Sequence, residues 1–249
     1  MVGYWGARNA TRIDLPRGDL PLVPDQKRQF VMLSGNREDT RPPVVLLHGT
    51  PGSAAGFTQL APAIANDGRR VVWFDLPGFG SQSNFDAYTN YSAETYADVA
   101  FAILDELGIE RAHIVGWSNG GAVALHMADD QPERVASVTM LASVGAQQTE
   151  GSGSYFFEHA KYKLGDLVLN KLDILIPHFG LLGPSTEREA FIRNFDETDQ
   201  RKLTRIMPTV EQPVLILHGR NDFLTSDWAA EHHHEPVSYT HLTLPTKIV

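Results

Sequence analysis

Four short turns hold most of the chemically capable residues of this 249-residue chain: HGTPG at 48 to 52, DLPGFG at 75 to 80, GWSNGG at 116 to 121 and HGRND at 218 to 222. The third contains Ser118, with Gly116 two residues before it and Gly120 two after. A serine between a strand and a helix must take a strained conformation for its hydroxyl to stand clear of the sheet. Glycines on either side let strand and helix approach closely. Such a hydroxyl can attack a carbonyl carbon, provided that a base takes its proton. The chain has no cysteine, which excludes a thiol nucleophile, a disulfide framework and a thiolate metal site. G-x-S-x-G alone is a frequent accident, so the surrounding elements decide its weight.

Those elements alternate. Arg28 to Ser34 reads as an early strand, and Val44 to Leu47, after Pro42 and Pro43, as an unbroken apolar run suited to a strand buried on both faces. Ala54 to Asn66 reads as a helix closed by Asp67-Gly68, and Val71 to Phe74 as a second buried strand. Ser92 can cap a helix with Glu94 in its first turn; Tyr96, Val99, Ile103, Leu104 and Leu107 form its apolar stripe, which stops at Gly108. A strand at Ala112 to Gly116, a helix at Gly120 to Asp129 and a strand at Val135 to Ala142 follow. This alternation implies a mostly parallel central sheet with helices on both faces, an α/β fold.

From Gly145 the alternation stops. A Gly-Ser-Gly-Ser link at 151 to 154 leads into a mixed aromatic and helical stretch lasting to about Met207, and Val214 to Leu217 then resumes the sheet. The expected organisation is core at 1–144, an inserted helical cap or lid at 145–207, returning core at 208–235 and a tail at 236–249. Tyr155, Phe156, Phe157, Tyr162, Leu164 and Leu167, with Ile174, Ile176, Phe179 and Leu182 further on, are expected to pack as the core of the cap, some of them lining an apolar acyl pocket.

The four turns fall where strands end, the edge at which open parallel sheets bind ligands. In that order and context the chain resembles the α/β-hydrolase family, over about residues 28 to 230. The resemblance implies that Ser118 is the nucleophile, that the backbone N–H groups of Thr50 and Asn119 form an oxyanion hole, and that Asp222 orients a catalytic histidine. It implies hydrolysis of a carboxylic ester through an acyl-enzyme, on a small-molecule substrate and without a cofactor. Acyl transfer, peptide cleavage, carbon–carbon bond hydrolysis and cofactor-free perhydrolysis stay open, because one fold serves them all.

Plainer roles suit other residues. His48, beside Gly49, and His218 sit in HG turns, where hydrogen bonding to loop backbone is the expected duty, and Asp75 opens a turn as a structural residue. The triplet His232 to His234 consists of adjacent residues whose side chains diverge, so no metal site is expected. With 21 basic against 30 acidic residues and no basic cluster, nucleic acid is not an expected partner. No stretch reaches the length of a membrane span, and the N-terminus lacks a basic-then-apolar signal pattern; a cytoplasmic protein is expected.

The chain departs from the family after the acid. The family order is Ser, Asp, His, with the histidine beyond a last strand, yet Asp222 is followed only by the short helical stretch DWAAEHHH and a final run, VSYTHLTLPTKIV. VSYTHLTLPT resembles what one frame of a transposase-type sequencing adapter encodes, so the tail from about Pro236 is expected to be non-native. On that basis the last strand, last helix and catalytic histidine are expected to be missing, Val214 to Leu217 to be an exposed sheet edge prone to aggregation, and the chain to be inactive or a hydrolase-like binding shell.

Overall fold

The computed structural model describes residues 11–15, 29–82, 90–149, 151–175, 185–222, 227–234 and 240–243. Eight strands form one sheet: β1 (Thr11–Leu15), β2 (Gln29–Ser34), β3 (Val44–Leu47), β4 (Val71–Phe74), β5 (Ala112–Trp117), β6 (Val135–Leu141), β7 (Val214–Leu217) and β8 (Thr240–Thr243). Their spatial order is β1-β2-β4-β3-β5-β6-β7-β8. The β1–β2 and β2–β4 pairs are antiparallel, and the pairs from β4 through β8 are parallel.

The period of two in a strand explains why VVLL and VVWF form the centre. Val44, Leu46, Val71 and Trp73 face one apolar cluster with Phe57 and Ala61. Val45, Leu47, Val72 and Phe74 face the other, beneath α2 (Ala93–Glu106) and α3 (Gly120–Asp130). Burying each large apolar side chain in these layers contributes about 1.5–3 kcal/mol. Helix α2 begins as its sequence indicates: Ser92 Oγ accepts the Thr95 N–H at 3.2 Å, and Tyr96, Val99, Ile103 and Leu104 are buried.

The structure differs from the sequence pattern at several points. The helix expected over Ala54 to Asn66 is broken into a 3-10 turn at Ala54–Phe57, α1 (Leu60–Ile64) and a second 3-10 turn at Ala65–Asp67. Strand β1 was not marked by an apolar run. Most consequential is the far edge. The expected exposed edge at Val214 to Leu217 is corrected: Thr240–Thr243 pairs parallel to it, with Val214 opposite Thr240 and Leu217 opposite Thr243. The sheet therefore has a strand beyond β7, because the backbone of Thr240–Thr243 satisfies the open ladder of its neighbour.

Residues 145–207 contain α4 (Tyr155–Leu175), α5 (Ser185–Glu197) and α6 (Gln200–Ile206). Tyr162 packs edge-on against Phe191 and at a tilt against Phe195, at 5.8 and 4.6 Å between ring centres, so part of the expected apolar packing forms. Phe156, Phe157, Leu164 and Leu167 are instead exposed, from 53% to 77%, because a 21-residue helix carries more apolar groups than its one inward face accommodates. Ile176, Phe179 and Leu182 lie outside the described residues, as does the side chain of Ile174. A seventh helix, α7 (Asp227–His234), follows β7. No helix among the described residues is long and apolar enough to cross a membrane.

Candidate active site

The parallel strands end in register. Trp117 is opposite Leu141, Leu141 opposite Leu217, and Leu217 opposite Thr243. Ser118, which follows Trp117, and His218, which follows Leu217, therefore leave the sheet along one edge, with β6 between them.

Ser118 has φ +52°, one of two non-glycine residues in the left-handed region among the described residues. An L-residue there costs about 1–2 kcal/mol. The surroundings enforce it: Ser118 donates its N–H to Leu141 O at 3.0 Å, while its carbonyl accepts from Gly121 N, Val144 N and Ser143 Oγ at 3.0, 3.2 and 3.1 Å. The glycines on either side answer to close approach. A Cβ on Gly116 would meet Gly120 O at 2.2 Å, and one on Gly120 would meet Leu47 O at 2.2 Å. The HGTPG turn sits directly on the serine, for a Cβ on Gly49 would lie 2.6 Å from Ser118 Cβ and 3.2 Å from its Oγ.

His48 holds that turn in place. Its Nδ1 donates to Gly49 O at 2.8 Å and its Nε2 accepts from Leu76 N at 2.9 Å, which fixes the neutral tautomer. Burial pushes its pKa below the ordinary value. His48 thus ties the turn after β3 to the turn after β4, as its position in an HG turn indicates. Asp75 does comparable structural work: its carboxylate accepts from Ala54 N at 2.7 Å and from Ser81 N and Oγ at 2.9 and 2.7 Å.

Thr50 and Asn119 are buried beside Ser118, and among the described residues neither backbone N–H has an internal acceptor. Their side chains converge on one atom, Asn194 Oδ1 from α5, at 3.2 Å from Thr50 Oγ1 and 2.6 Å from Asn119 Nδ2. Asn194 is absent from the sequence-derived set. Its signal is faint: it occupies an i, i+4 position between buried Ala190 and Thr198, a polar residue on an inward helix face.

Asp222 lies five residues past β7, its N–H donated to Gly219 O at 3.1 Å and one carboxylate oxygen 4.0 Å from His218 Nε2. His218 is almost fully buried, with this carboxylate at ion-pair distance. The histidine triplet on α7 diverges as its adjacency requires. His232 Nε2 pairs with Gln148 Nε2 at 2.8 Å and its ring stacks on Trp228, whereas His233 Nε2 accepts from Ala146 N at 3.1 Å, in the turn that follows β6. Burial, reinforced by His218 and His232, pushes His233 down to about 4. No group of three or more metal-ligating side chains occurs among the described residues. Nor does any described histidine hydrogen-bond to Ser118. His241 lies within β8, opposite Leu215.

Residues 42–166 match the α/β hydrolase fold family, just over half of the chain. The chain belongs to that family. Among curated relatives it is 28% identical, over 213 residues, to a 2-hydroxy-6-oxononadienedioate/2-hydroxy-6-oxononatrienedioate hydrolase of a Pseudomonas species, covering 76% of this chain and 73% of that one. It is 32% identical over 137 residues to a proline iminopeptidase of Lactobacillus helveticus, covering 54% of this chain but only 46% of the peptidase. An α/β hydrolase enzyme from a Medee basin deep-sea metagenome library shares the fold with a TM-score of 0.68 at 19% identity, over 90% of this chain and 89% of that one.

Proposed function

We propose that this chain carries the acyl-transfer half of a serine hydrolase site and that its substrates are carboxylic esters. Ser118 attacks the carbonyl carbon as its hydroxyl proton passes to a base, the Thr50 and Asn119 N–H groups receive the developing oxyanion, and Asp222 is assigned to orient a histidine in that base's role. The single observation that carries this is the elbow: a serine held at φ +52° between two backbone donors, Thr50 N–H in the turn after β3 and Asn119 N–H in its own turn, neither with an acceptor among the described residues. Such donors stabilise an oxyanion by about 3–4 kcal/mol each. Residues 145–207 form the lid over this edge of the sheet.

The relatives named above are a 2-hydroxy-6-oxononadienedioate/2-hydroxy-6-oxononatrienedioate hydrolase and a proline iminopeptidase, so the family context alone does not select the substrate. Leaving-group chemistry favours esters. An amine must be protonated as it departs, which requires an acid at the position of the histidine, whereas a phenolate or alkoxide of low basicity leaves without one. With no described histidine at Ser118, turnover is expected to be slow, since loss of the histidine from such a site costs about 10⁶ in kcat.

The test is a fluorophosphonate probe on the purified chain beside p-nitrophenyl acetate turnover. Slow labelling abolished by Ser118→Ala is the expected result, and equal labelling of both proteins overturns the assignment. A second reading, a hydrolase shell kept for binding, rests on that missing histidine contact. A folded chain that the probe leaves unlabelled, while an ester analogue still binds, would favour it.

A further inference from the structure

Asn194 is fully buried, and its orientation can be worked out from its neighbours. It lies 2.6 Å from Tyr91 O, an atom that only accepts, so the amide nitrogen must point there. The oxygen then faces Thr50 and Asn119, and both must donate to it: Thr50 through its hydroxyl at 3.2 Å, Asn119 through Nδ2 at 2.6 Å. One side chain of α5 thereby joins the turn after β3 to the turn after β5. These are the two turns whose backbone N–H groups are assigned to the oxyanion.

Helix α5 does not depend on Asn194 for its seat. Its C-terminal end is fixed separately, with Thr198 Oγ1 accepting from Ala93 N at 3.0 Å and the Glu197 carboxylate accepting from Tyr91 N. The Asn194 bridge therefore sets the spacing of the two turns over and above docking the helix. A buried amide whose oxygen serves two donors in different loops gives each a fixed position relative to the other, which is what an oxyanion pair requires before charge develops.

We propose that Asn194 is a positioning residue for the oxyanion donors, acting through the side chains of Thr50 and Asn119; the proposal rests on the acyl-transfer assignment above. It touches no substrate. Its effect is to hold two loops at the separation that a tetrahedral oxyanion needs, so its loss should impair the chemical step and leave the sheet intact.

The experiment compares Asn194→Ala with Thr198→Val, which removes the neighbouring α5 contact without touching either donor loop. Hydrogen exchange is followed by peptide, and fluorophosphonate labelling by rate. Asn194→Ala should accelerate exchange in peptides spanning 48–53 and 116–124 and slow labelling by about 10- to 100-fold, the scale of a loop misplacement approaching 1 Å. Thr198→Val should accelerate exchange near 90–96 and leave the labelling rate close to that of the parent. Exchange rising uniformly across the sheet in Asn194→Ala, or a labelling rate unchanged by it, overturns the proposal. Should the parent itself resist the probe, the acyl-transfer assignment fails, while the exchange pattern still decides whether Asn194 holds the two loops. If Asn194→Ala does not fold, Thr50→Val deletes only the hydroxyl arm of the bridge. It should accelerate exchange in 48–53 and slow labelling several-fold, and the absence of both effects refutes the bridge.

Discussion

The strain at Ser118 can be measured through stability by comparing Ser118→Gly with Ser118→Ala, two variants that both lack the hydroxyl. At an ordinary position glycine is the worse choice, because the unfolded chain gains freedom worth about 0.4–1 kcal/mol. At φ +52° the balance reverses. Alanine inherits the left-handed conformation, at a cost of about 1–2 kcal/mol, and glycine does not. The backbone cannot relax out of that conformation, since Leu141 O, Gly121 N, Val144 N and Ser143 Oγ all hold it. Subtracting the two terms leaves glycine ahead by about 0.5–1 kcal/mol, or roughly 1–4 °C in Tm for a domain of this size. Urea denaturation of both variants gives the difference directly. Ala160→Gly, at an exposed position within α4, supplies the ordinary sign, a loss of about 1 kcal/mol. If Ser118→Gly proved less stable than Ser118→Ala by a similar amount, the conformation would not be enforced, and the geometric case for a poised nucleophile would fail with it.

Three further outcomes follow from the same contacts. Ala142 has φ +42° and keeps its N–H bond to Leu217 O, so Ala142→Gly should raise stability by about 0.5–1 kcal/mol in the same titration. Gly120→Ala forces a Cβ to within 2.2 Å of Leu47 O and 2.9 Å of His48 O, backbone atoms that cannot step aside; a loss of about 3 kcal/mol or more, with loss of probe labelling, is expected. His233 is held neutral, with a folded pKa of about 4 against an ordinary 6.5. The unfolded chain therefore binds its proton first as pH falls: the contribution is complete above pH 6.5 and is lost on descent towards 4. His233→Gln, which retains an acceptor for Ala146 N, should flatten that part of the stability profile by about 3 kcal/mol, and an unchanged profile would remove His233 as its source.

The parts of this molecule legible in its sequence are those determined locally. VVLL and VVWF announce strands buried on both faces because every residue is apolar, and Ser92 with Thr95 encodes a helix start within four positions. The elbow is legible because Gly116, Ser118 and Gly120 lie within five residues of one another, even though the atoms that hold them include Leu47 O and Leu141 O from distant strands. What sequence could not display depends on partners far along the chain. Asn194 lies 144 residues from Thr50 and 75 from Asn119, and only the folded sheet brings their turns together. Strand β8, THLT, has no apolar run; its pairing is dictated by the open ladder of β7 and not by its own composition.

That last strand changes what the acid–base half of the site requires. Adjacent strands are separated by about 4.8 Å, so β5 and β7 stand about 10 Å apart across β6, a gap that an imidazole between Ser118 and Asp222 would have to bridge. Thr243 is level with Leu217, so β8 ends at the same edge of the sheet as β7, which leads to Asp222. Of the α7 histidines, His232 and His233 are committed to Gln148 and to the turn at Ala146. His241 lies two residues short of the β8 terminus, opposite Leu215 and below the edge where Ser118 stands. The end of β8 at Thr243 is thus where a test histidine belongs. A histidine introduced there should accelerate fluorophosphonate labelling of Ser118 well beyond the parent rate and make it depend on Asp222, whereas acceleration that survives Asp222→Ala would show that Asp222 is not the orienting acid.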